Sequence, residues 1–297
     1  MDGYQAGTFL GQHAILALGL VLFSLYAAAI GLWHLLDRQQ GKLWNFAEAT
    51  WKRLQRSAIL SAFQHRFPRG WVMVTHRLSP GGYLGLHFTV SICVLFIAAA
   101  IFFLLADEVG EQDWLVQFDH ALSTSLHEHS TFATVGIFQI NSSLGDASTL
   151  TAIGLLVIVG LVVTRHWQLV FVWVIALLGV GFLNESLKNT FQRVRPQLPD
   201  PWIVEPGWSF PSGHAMGSLV VYGMLAYFLS LMVTNRTLRY CIILITTTLV
   251  VTIGFSRIYL GVHYFSDVVA GYCAATFWLV LVTTGNDVAR RHRQPGK

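Results

Sequence analysis

The sequence is poor in charge. Only 11% of its 297 residues are Asp, Glu, Lys or Arg, against about 25% in an ordinary soluble domain. With 54% hydrophobic residues and a mean hydropathy of +0.55, there is too little polar surface to face water, and the apolar residues come in runs rather than alternating with polar ones. This excludes a soluble globule and a disordered chain. Cysteine is scarce as well: Cys93, Cys241 and Cys273 each lie inside an apolar run, so they offer no disulfide framework. Lys and Arg are absent from residues 107–147, where Asp107, Glu108, Glu111, Asp113, Asp119, Glu128 and Asp146 fall. The net charge of +4 does not point to nucleic acid, because that needs a basic stripe interleaved with aromatics on a folded surface. Here the bases sit at the edges of apolar runs.

Those runs are what the sequence has in abundance. A membrane-crossing helix needs about 20 apolar residues, and seven stretches qualify or nearly so: Thr8 to Leu36, Gly82 to Ala106, Ser148 to Thr164, Gln168 to Leu183, His214 to Val233, Tyr240 to Phe255, and His263 to Thr284. The first lacks a basic leader and a clear small-residue cleavage site, so it reads as a retained anchor rather than a signal peptide. The acidic segment 107–147 reads as a loop between the second and third spans.

Orientation follows from the bases, because cytoplasmic loops retain Lys and Arg. Arg38, Lys42, Lys52, Arg53, Arg56, Arg66, Arg69, Arg77, Arg165, Arg236, Arg239, Arg290, Arg291, Arg293 and Lys297 all fall on one side, which places the C-terminus in the cytoplasm. Lys188, Arg193, Arg195 and Arg257 fall on the other side and need a local reason. Between Leu43 and Phe63, apolar residues at helical spacing are flanked by Lys42, Lys52, Arg53 and Arg56. This suits an interfacial amphipathic helix on an anionic leaflet and equally a solvated basic connector.

Three outer-face segments carry groups that do chemistry. Five of the eight prolines fall between Pro196 and Pro211, which makes that connection irregular. Before it, Lys188 and Arg195 are seven residues apart, a spacing that on a helix puts both on one face, but Pro196 pushes Arg195 out of helical geometry, so the helix is expected to end near there. After it, Pro211-Ser212-Gly213-His214 opens an apolar run. A Ser N-cap, a Gly that allows close approach and free N–H groups at the positive end of a helix make an anion site. Further on, Ser256-Arg257 is followed by His263 and Asp267, at i and i+4 and so expected on one helix face, where a carboxylate can set a histidine tautomer. Guanidinium groups, an ammonium, a hydroxyl, backbone donors and two histidines suit phosphoryl transfer, in which charge on three oxygens is balanced while one base attacks and another protonates the leaving group. No aspartate-rich motif for a metal adjoins these bases, and three positive side chains can take its place, which leads to a metal-free phosphohistidine mechanism.

Lys188-x6-Arg195-Pro196, then Pro211-Ser212-Gly213-His214, then Ser256-Arg257-x5-His263-x3-Asp267 resembles, in order and spacing, the three-part signature of the type 2 phosphatidic acid phosphatase (PAP2) family, whose phosphate pocket is shared with vanadium haloperoxidases. The resemblance covers roughly Gly82 to Thr284 and leaves the first span and the basic segment after it unaccounted for. It implies an all-α integral membrane protein with a six-transmembrane-helix core, to which the first apolar run adds one additional N-terminal transmembrane helix. In domain terms these are residues 1–81, a core at 82–286 and a basic cytoplasmic tail at 287–297. It implies His263 as nucleophile, Asp267 as its orienting partner and His214 as general acid. Lys188, Arg195 and Arg257 are then phosphate clamps, with Ser212 and the Gly213 N–H completing the oxyanion contacts. Arg193 and Glu185 lie outside the motif: Arg193 is expected on the outer surface or at a lipid headgroup, and Glu185 is placed to pair with Lys188 at i+3.

Other residues read more plainly. His127-Glu128-His129 offers two ligands at alternating spacing and no third, too few for a metal site. His13, His34 and His87 read as hydrogen-bonded packing residues. Trp202, Trp208 and Phe210 read as an interface belt, or as the lining of a lipid portal.

The expected function is a lipid phosphatase without metal or cofactor. Its pocket lies on the non-cytoplasmic face, and its substrate is a membrane lipid phosphate such as phosphatidate, phosphatidylglycerol phosphate or undecaprenyl pyrophosphate. A phosphotransferase using the same phosphohistidine is the first alternative. A non-catalytic lipid-phosphate binder or transporter is the second, disfavoured because the centres of spans three to six hold no ionisable group. A haloperoxidase is least favoured.

Overall fold

The computed structural model describes residues 2–31, 83–108 and 114–292, with isolated positions at 49, 53 and 66. Regular structure among the described residues is helical: α1 (Gly3–Gln12), α2 (Ala14–Gly31), α3 (Tyr83–Glu108), α4 (Trp114–Glu128), α5 (Phe132–Ser143), α6 (Ala147–Val163), α7 (Trp167–Phe191), α8 (Gly213–Met232), α9 (Arg236–Tyr259) and α10 (Phe265–His292). The segment from Leu43 to Phe63, His34 and the side chain of His87 lie outside the described residues. Two compact units result: Met1–Leu22 with Ile97–Lys297, and Phe23–Phe96. Every residue discussed below belongs to the first.

Side chains set the helix ends. The Asp2 carboxylate accepts the Gln5 N–H at 2.8 Å and starts α1, Thr131 and Thr134 form a capping box at the start of α5, and Asn235 accepts the Leu238 N–H at 3.2 Å to start α9. Each satisfies a backbone donor that the first helical turn leaves open.

Seven helical stretches among the described residues are long and apolar enough to cross a membrane. The stretch Phe132–Val163 has a mean hydropathy of 2.1 with only 11% of its window buried. Ile140, Leu156 and Val163 on it, and Phe182 on α7, are exposed. Such a surface suits hydrocarbon and not water.

Three expected boundaries change. The segment 107–147 is not simply a loop, because it holds α4 and α5. Leu115, Phe118, Leu122 and Leu126 recur along α4 at three-to-four spacing and are buried, an amphipathic stripe too short to register as a span. The first span does not start at Thr8, because α1 ends at Gln12 and the chain leaves helical geometry at His13. The third apolar run begins earlier than Ser148, at Phe132, and a turn at residues 144–146 breaks it into α5 and α6.

The centre of the unit is α8, which packs against α7, α9 and α10. Met216, Val220 and Met224 are fully buried there, beside Trp173 of α7, Ile253 of α9 and Ala275 of α10. Because neighbouring helices run in opposite directions, the C-terminal ends of α7 and α9 meet the N-terminal ends of α8 and α10. The three motifs thereby gather at one end of the bundle.

Candidate active site

His263 lies just beyond α9 rather than on a helix. The chain turns at Gly261, whose φ of 71° is one that L side chains rarely adopt. The backbone N–H groups of Val262 and His263 both return to the Arg257 carbonyl, at 3.2 Å each. His263 and Arg257 are thus held side by side, and both are buried.

The His263 ring has different partners on its two nitrogens. Nδ1 is 3.4 Å from Asp267 Oδ2, and Nε2 is 3.1 Å from Arg195 Nη1. A guanidinium only donates, so Nε2 holds the lone pair and the proton sits on Nδ1, facing Asp267. Burial pushes the His263 pKa down to about 4, against the opposing pull of Asp267. The ring is neutral at physiological pH, with the Nε2 lone pair aimed at a cation.

Asp267, in the first turn of α10, is fully buried and fully engaged. Its Oδ2 also accepts the Tyr264 N–H at 2.9 Å and the Ser209 hydroxyl, while Oδ1 accepts from Arg193 Nη1 at 2.6 Å. Arg193 is therefore not an outer-surface or headgroup residue. Its side chain is 8% exposed, it forms ion pairs with Asp119 at 2.9 Å and Asp267, and it stacks 4.2 Å over the Tyr264 ring. The physical reason is local. Gln192 takes a left-handed conformation with φ 45° that ends α7, and the chain continues extended. Alternate residues then share a face, so Arg193 and Arg195 both turn inward while Val194 is exposed. The same turn removes Arg195 from the helix face that carries Lys188.

The motif arginines are held by backbone and side-chain acceptors and share one carboxylate. Arg195 donates to the carbonyls of Gly207 at 3.2 Å, Val262 at 2.8 Å and Pro206 at 3.3 Å, which ties the proline-rich loop to the site. Arg257 donates to Ser142 Oγ at 2.6 Å, and its buried Nε has no hydrogen-bond partner. The Glu205 carboxylate lies across both arginines, with Oε2 3.3 Å from Arg195 and Oε1 on Arg257. These two guanidinium groups hold the Glu205 pKa below its usual value even though burial pushes it up. Lys188, half-buried on α7, is coupled through space to Arg195, Glu205 and Arg257. Glu185 couples to the Lys188 charge, and its carboxylate accepts from Asn189 at 3.3 Å.

On α8, the buried Ser212 hydroxyl accepts the Ala215 N–H at 3.4 Å as N-cap, and the Ser212 N–H donates to the Asp267 carbonyl at 3.0 Å. Gly213 heads the helix, where first-turn N–H groups lack intrahelical partners. His214 Nε2 is 2.8 Å from Asp146 Oδ1, and its ring lies against Gly145. Asp146 begins α6 without capping it, because its carboxylate is turned to His214 instead.

All eight motif residues therefore meet in one cluster. Sequence reasoning did not single out Asp119, Ser142, Asp146, Glu205, Ser209 and Ser266. Asp119 had a signal, being a lone acid on the apolar stripe of α4, whereas the others reach the site only through tertiary contacts. Phe210 is not part of an interface belt: it is fully buried against Phe102 and Phe191. Trp202 stays partly exposed and donates from Nε1 to Ser130 at 2.8 Å. His13 and His129 each place Nδ1 on a carbonyl one helical turn back. Among the described residues no three His, Cys, Asp or Glu side chains gather as a metal site.

Residues 167–291 match the PAP2 superfamily. The chain is 36% identical over 116 residues to phosphatidylglycerophosphatase B of Bacillus subtilis and 33% identical over 131 residues to lipid A 4'-phosphatase of Bacteroides thetaiotaomicron. Each match covers 38% of this chain and 55% of the relative, so the chain spans about half the length of the curated relatives it matches. Its fold matches the crystal structure of a transmembrane PAP2-type phosphatidylglycerolphosphate phosphatase from Bacillus subtilis with a TM-score of 0.62 and 26% identity, covering 66% of this chain and 98% of that one. Among the described residues the protein is helical, with seven stretches long and apolar enough to cross a membrane, and its residues 167–291 are similar to the PAP2 superfamily.

Proposed function

We propose that this protein is an integral membrane phosphatase that removes a terminal phosphate from a lipid through a phosphohistidine on His263, without a metal, at the non-cytoplasmic face. The observation that carries the reading is the placing of the neutral His263 Nε2 beside a cationic clamp that already holds an anion, the Glu205 carboxylate across Arg195 and Arg257. The unpartnered Nε of Arg257 is a buried donor that a phosphate oxygen satisfies.

In this mechanism the lipid phosphate displaces Glu205 and binds Lys188, Arg195 and Arg257, with the Ser212 hydroxyl and the Gly213 N–H completing the cradle. Nε2 of His263 attacks phosphorus, the bond to the lipid oxygen breaks, and His214, oriented by Asp146, protonates that oxygen. Asp267 holds the Nδ1 proton and stabilises the positive ring. Water, deprotonated by His214, then attacks phosphorus, the P–N bond breaks, and inorganic phosphate leaves. Three cationic side chains balance the charge that a metal balances elsewhere.

The pocket sits where spans enter and leave the bilayer, which favours a substrate whose tails stay in the membrane. The positive-inside distribution supports the non-cytoplasmic face. The names of the relatives put phosphatidylglycerol phosphate first among substrates, followed by other lipid phosphomonoesters and polyprenyl pyrophosphates. The test is phosphate release by the purified protein in detergent with EDTA, over a panel of lipid phosphates. Release from at least one lipid that survives EDTA supports the reading. Release that needs an added lipid or glycan acceptor marks a phosphotransferase, and no release from any lipid contradicts a hydrolase.

A further inference from the structure

Resting on the reading of His263 as nucleophile, we infer that Asp119 and Arg193 are positioning residues for that histidine, and that the N-terminal helix α1 braces them. The contacts form one continuous chain. His263 Nδ1 faces Asp267 Oδ2, Asp267 Oδ1 accepts from Arg193 Nη1, and Arg193 Nη2 donates to Asp119 Oδ2. Ser266 closes the link: its hydroxyl accepts from Arg193 at 2.7 Å and donates to Asp119, and its N–H donates to Asp119 Oδ1 at 3.1 Å. Asp119 is thereby fixed to the first turn of α10, which carries Asp267.

This arrangement does what the motif residues do not do for themselves. Asp267 Oδ2 is shared among His263, Tyr264 and Ser209, so the direction of its carboxylate is set at the other oxygen, by Arg193. A guanidinium held by one carboxylate alone is free to swing; held by two, in a fixed fork, it has one orientation. Rotation of the Asp267 carboxylate would move the acceptor away from Nδ1 and release the tautomer that exposes the lone pair on Nε2.

Asp119 lies on α4, outside the region that matches the family, and α4 is covered by α1. Gly3, Gly7 and Gly11 recur every four residues along one face of α1 and are buried. A Cβ at Gly7 would fall 2.5 Å from the Phe118 carbonyl oxygen, and one at Gly11 would fall 2.5 Å from Ser125 Cβ. The backbones therefore touch, in the close helix approach that small residues at four-residue spacing permit. Ser125 adds a hydrogen bond to the Thr8 carbonyl at 3.1 Å. Residues neighbouring Asp119 on α4 are thus fixed by a segment for which the motifs alone give no role.

The experiment compares full-length wild type with Asp119→Asn, Arg193→Lys, Arg193→Met, Asp267→Asn, Gly7→Ala and His263→Ala, measuring kcat and KM for a lipid phosphate, orthovanadate affinity and melting temperature. Asp119→Asn is expected to lower kcat about tenfold to a hundredfold, with KM unchanged and orthovanadate affinity lowered along with kcat, because vanadate takes the place of the transferring phosphoryl group on the same nitrogen. The Asp119→Asn, Asp267→Asn double variant is expected to lose no more than Asp267→Asn alone, as members of one chain do, and Arg193→Lys to retain more turnover than Arg193→Met. Gly7→Ala is expected to lower kcat several-fold in the wild-type background and to have no effect in Asp119→Asn. If folded Asp119→Asn keeps wild-type kcat, or if its loss multiplies with that of Asp267→Asn, the positioning role is overturned. A Gly7→Ala variant with wild-type kcat removes α1 from the chain of contacts. Phosphate release that persists in His263→Ala overturns the nucleophile itself and this inference with it.

Discussion

Arg195 donates from Nη1 to His263 Nε2 at 3.1 Å, so in the proposed mechanism the cation that holds the phosphate lies beside the nitrogen that attacks it. The contact keeps the lone pair of Nε2 in place until the substrate takes over the guanidinium, and it forces the ring proton onto the side of Asp267. Under the proposed function, nucleophile and clamp are thus aligned before any substrate arrives, which is the preorganisation that electrostatic catalysis requires.

Asp267→Asn exchanges a carboxylate that holds the Nδ1 proton for an amide that also presents a donor. Turnover is expected to fall by roughly 10⁴, the loss seen when the analogous carboxylate of a hydrolase triad is made neutral. Phosphate release by folded variant protein checks this, and near-normal turnover would remove Asp267 from the mechanism.

The pH dependence follows from the His263 pKa of about 4. Protonation removes the lone pair from Nε2, so kcat/KM falls as pH falls through that value. After correction for the substrate's own ionisation, the acid limb is expected near pH 4 rather than near 6.5, the ordinary histidine value. Between 4 and 6.5 the unfolded chain binds the proton that the folded chain refuses, so the His263 contribution to stability rises with pH across that window and is lost as pH falls through it. Melting temperature against pH for wild type and His263→Gln separates this contribution from those of other groups.

Arg193→Met leaves Asp119 and Asp267 as two buried carboxylates without their shared cation. Breaking a buried ion pair from one side costs about 3–5 kcal/mol, and a loss in that range is expected. Arg193→Lys keeps the charge and loses less. Unfolding curves for the two variants give the difference, and equal stability of Arg193→Met and wild type would show that the cluster is not held by charge.

Glu205→Gln removes the carboxylate that occupies the clamp without disturbing the core, because the Glu205 side chain keeps 26% of its exposure. A charged hydrogen bond contributes about 1.5–3 kcal/mol, so inorganic phosphate is expected to bind the variant about tenfold tighter. Calorimetric titration of both proteins with phosphate reads this directly. Weaker binding in Glu205→Gln would mean that the carboxylate helps to hold phosphate rather than keeping its place.

Much of this architecture was legible in the sequence because long apolar runs and motif spacings are local signals. Lys188, Ser212, His214, Arg257, His263 and Asp267 were all placed by the residues around them. The misreadings share a cause, which is that each depended on a partner distant in sequence. Arg193 looked like a surface base until Gln192 reversed the chain and brought it to Asp119, 74 residues away. Phe210 looked like a belt residue until Phe102 and Phe191 covered it. Helix α4 was hidden inside an acidic stretch because its apolar stripe is narrow, and the acid that interrupts that stripe, Asp119, reaches the site, as does Asp146 at the end of the same stretch.

The central claim is that His263 carries the phosphoryl group. Rapid acid-free denaturing quench of wild-type protein during turnover, followed by mass spectrometry of the peptide containing residues 257–267, tests it most directly. One phosphoryl group on His263 during turnover, absent in His263→Ala, is the predicted result. Turnover with no phosphoryl group on His263 at any time, or with the label on another residue, would contradict the account.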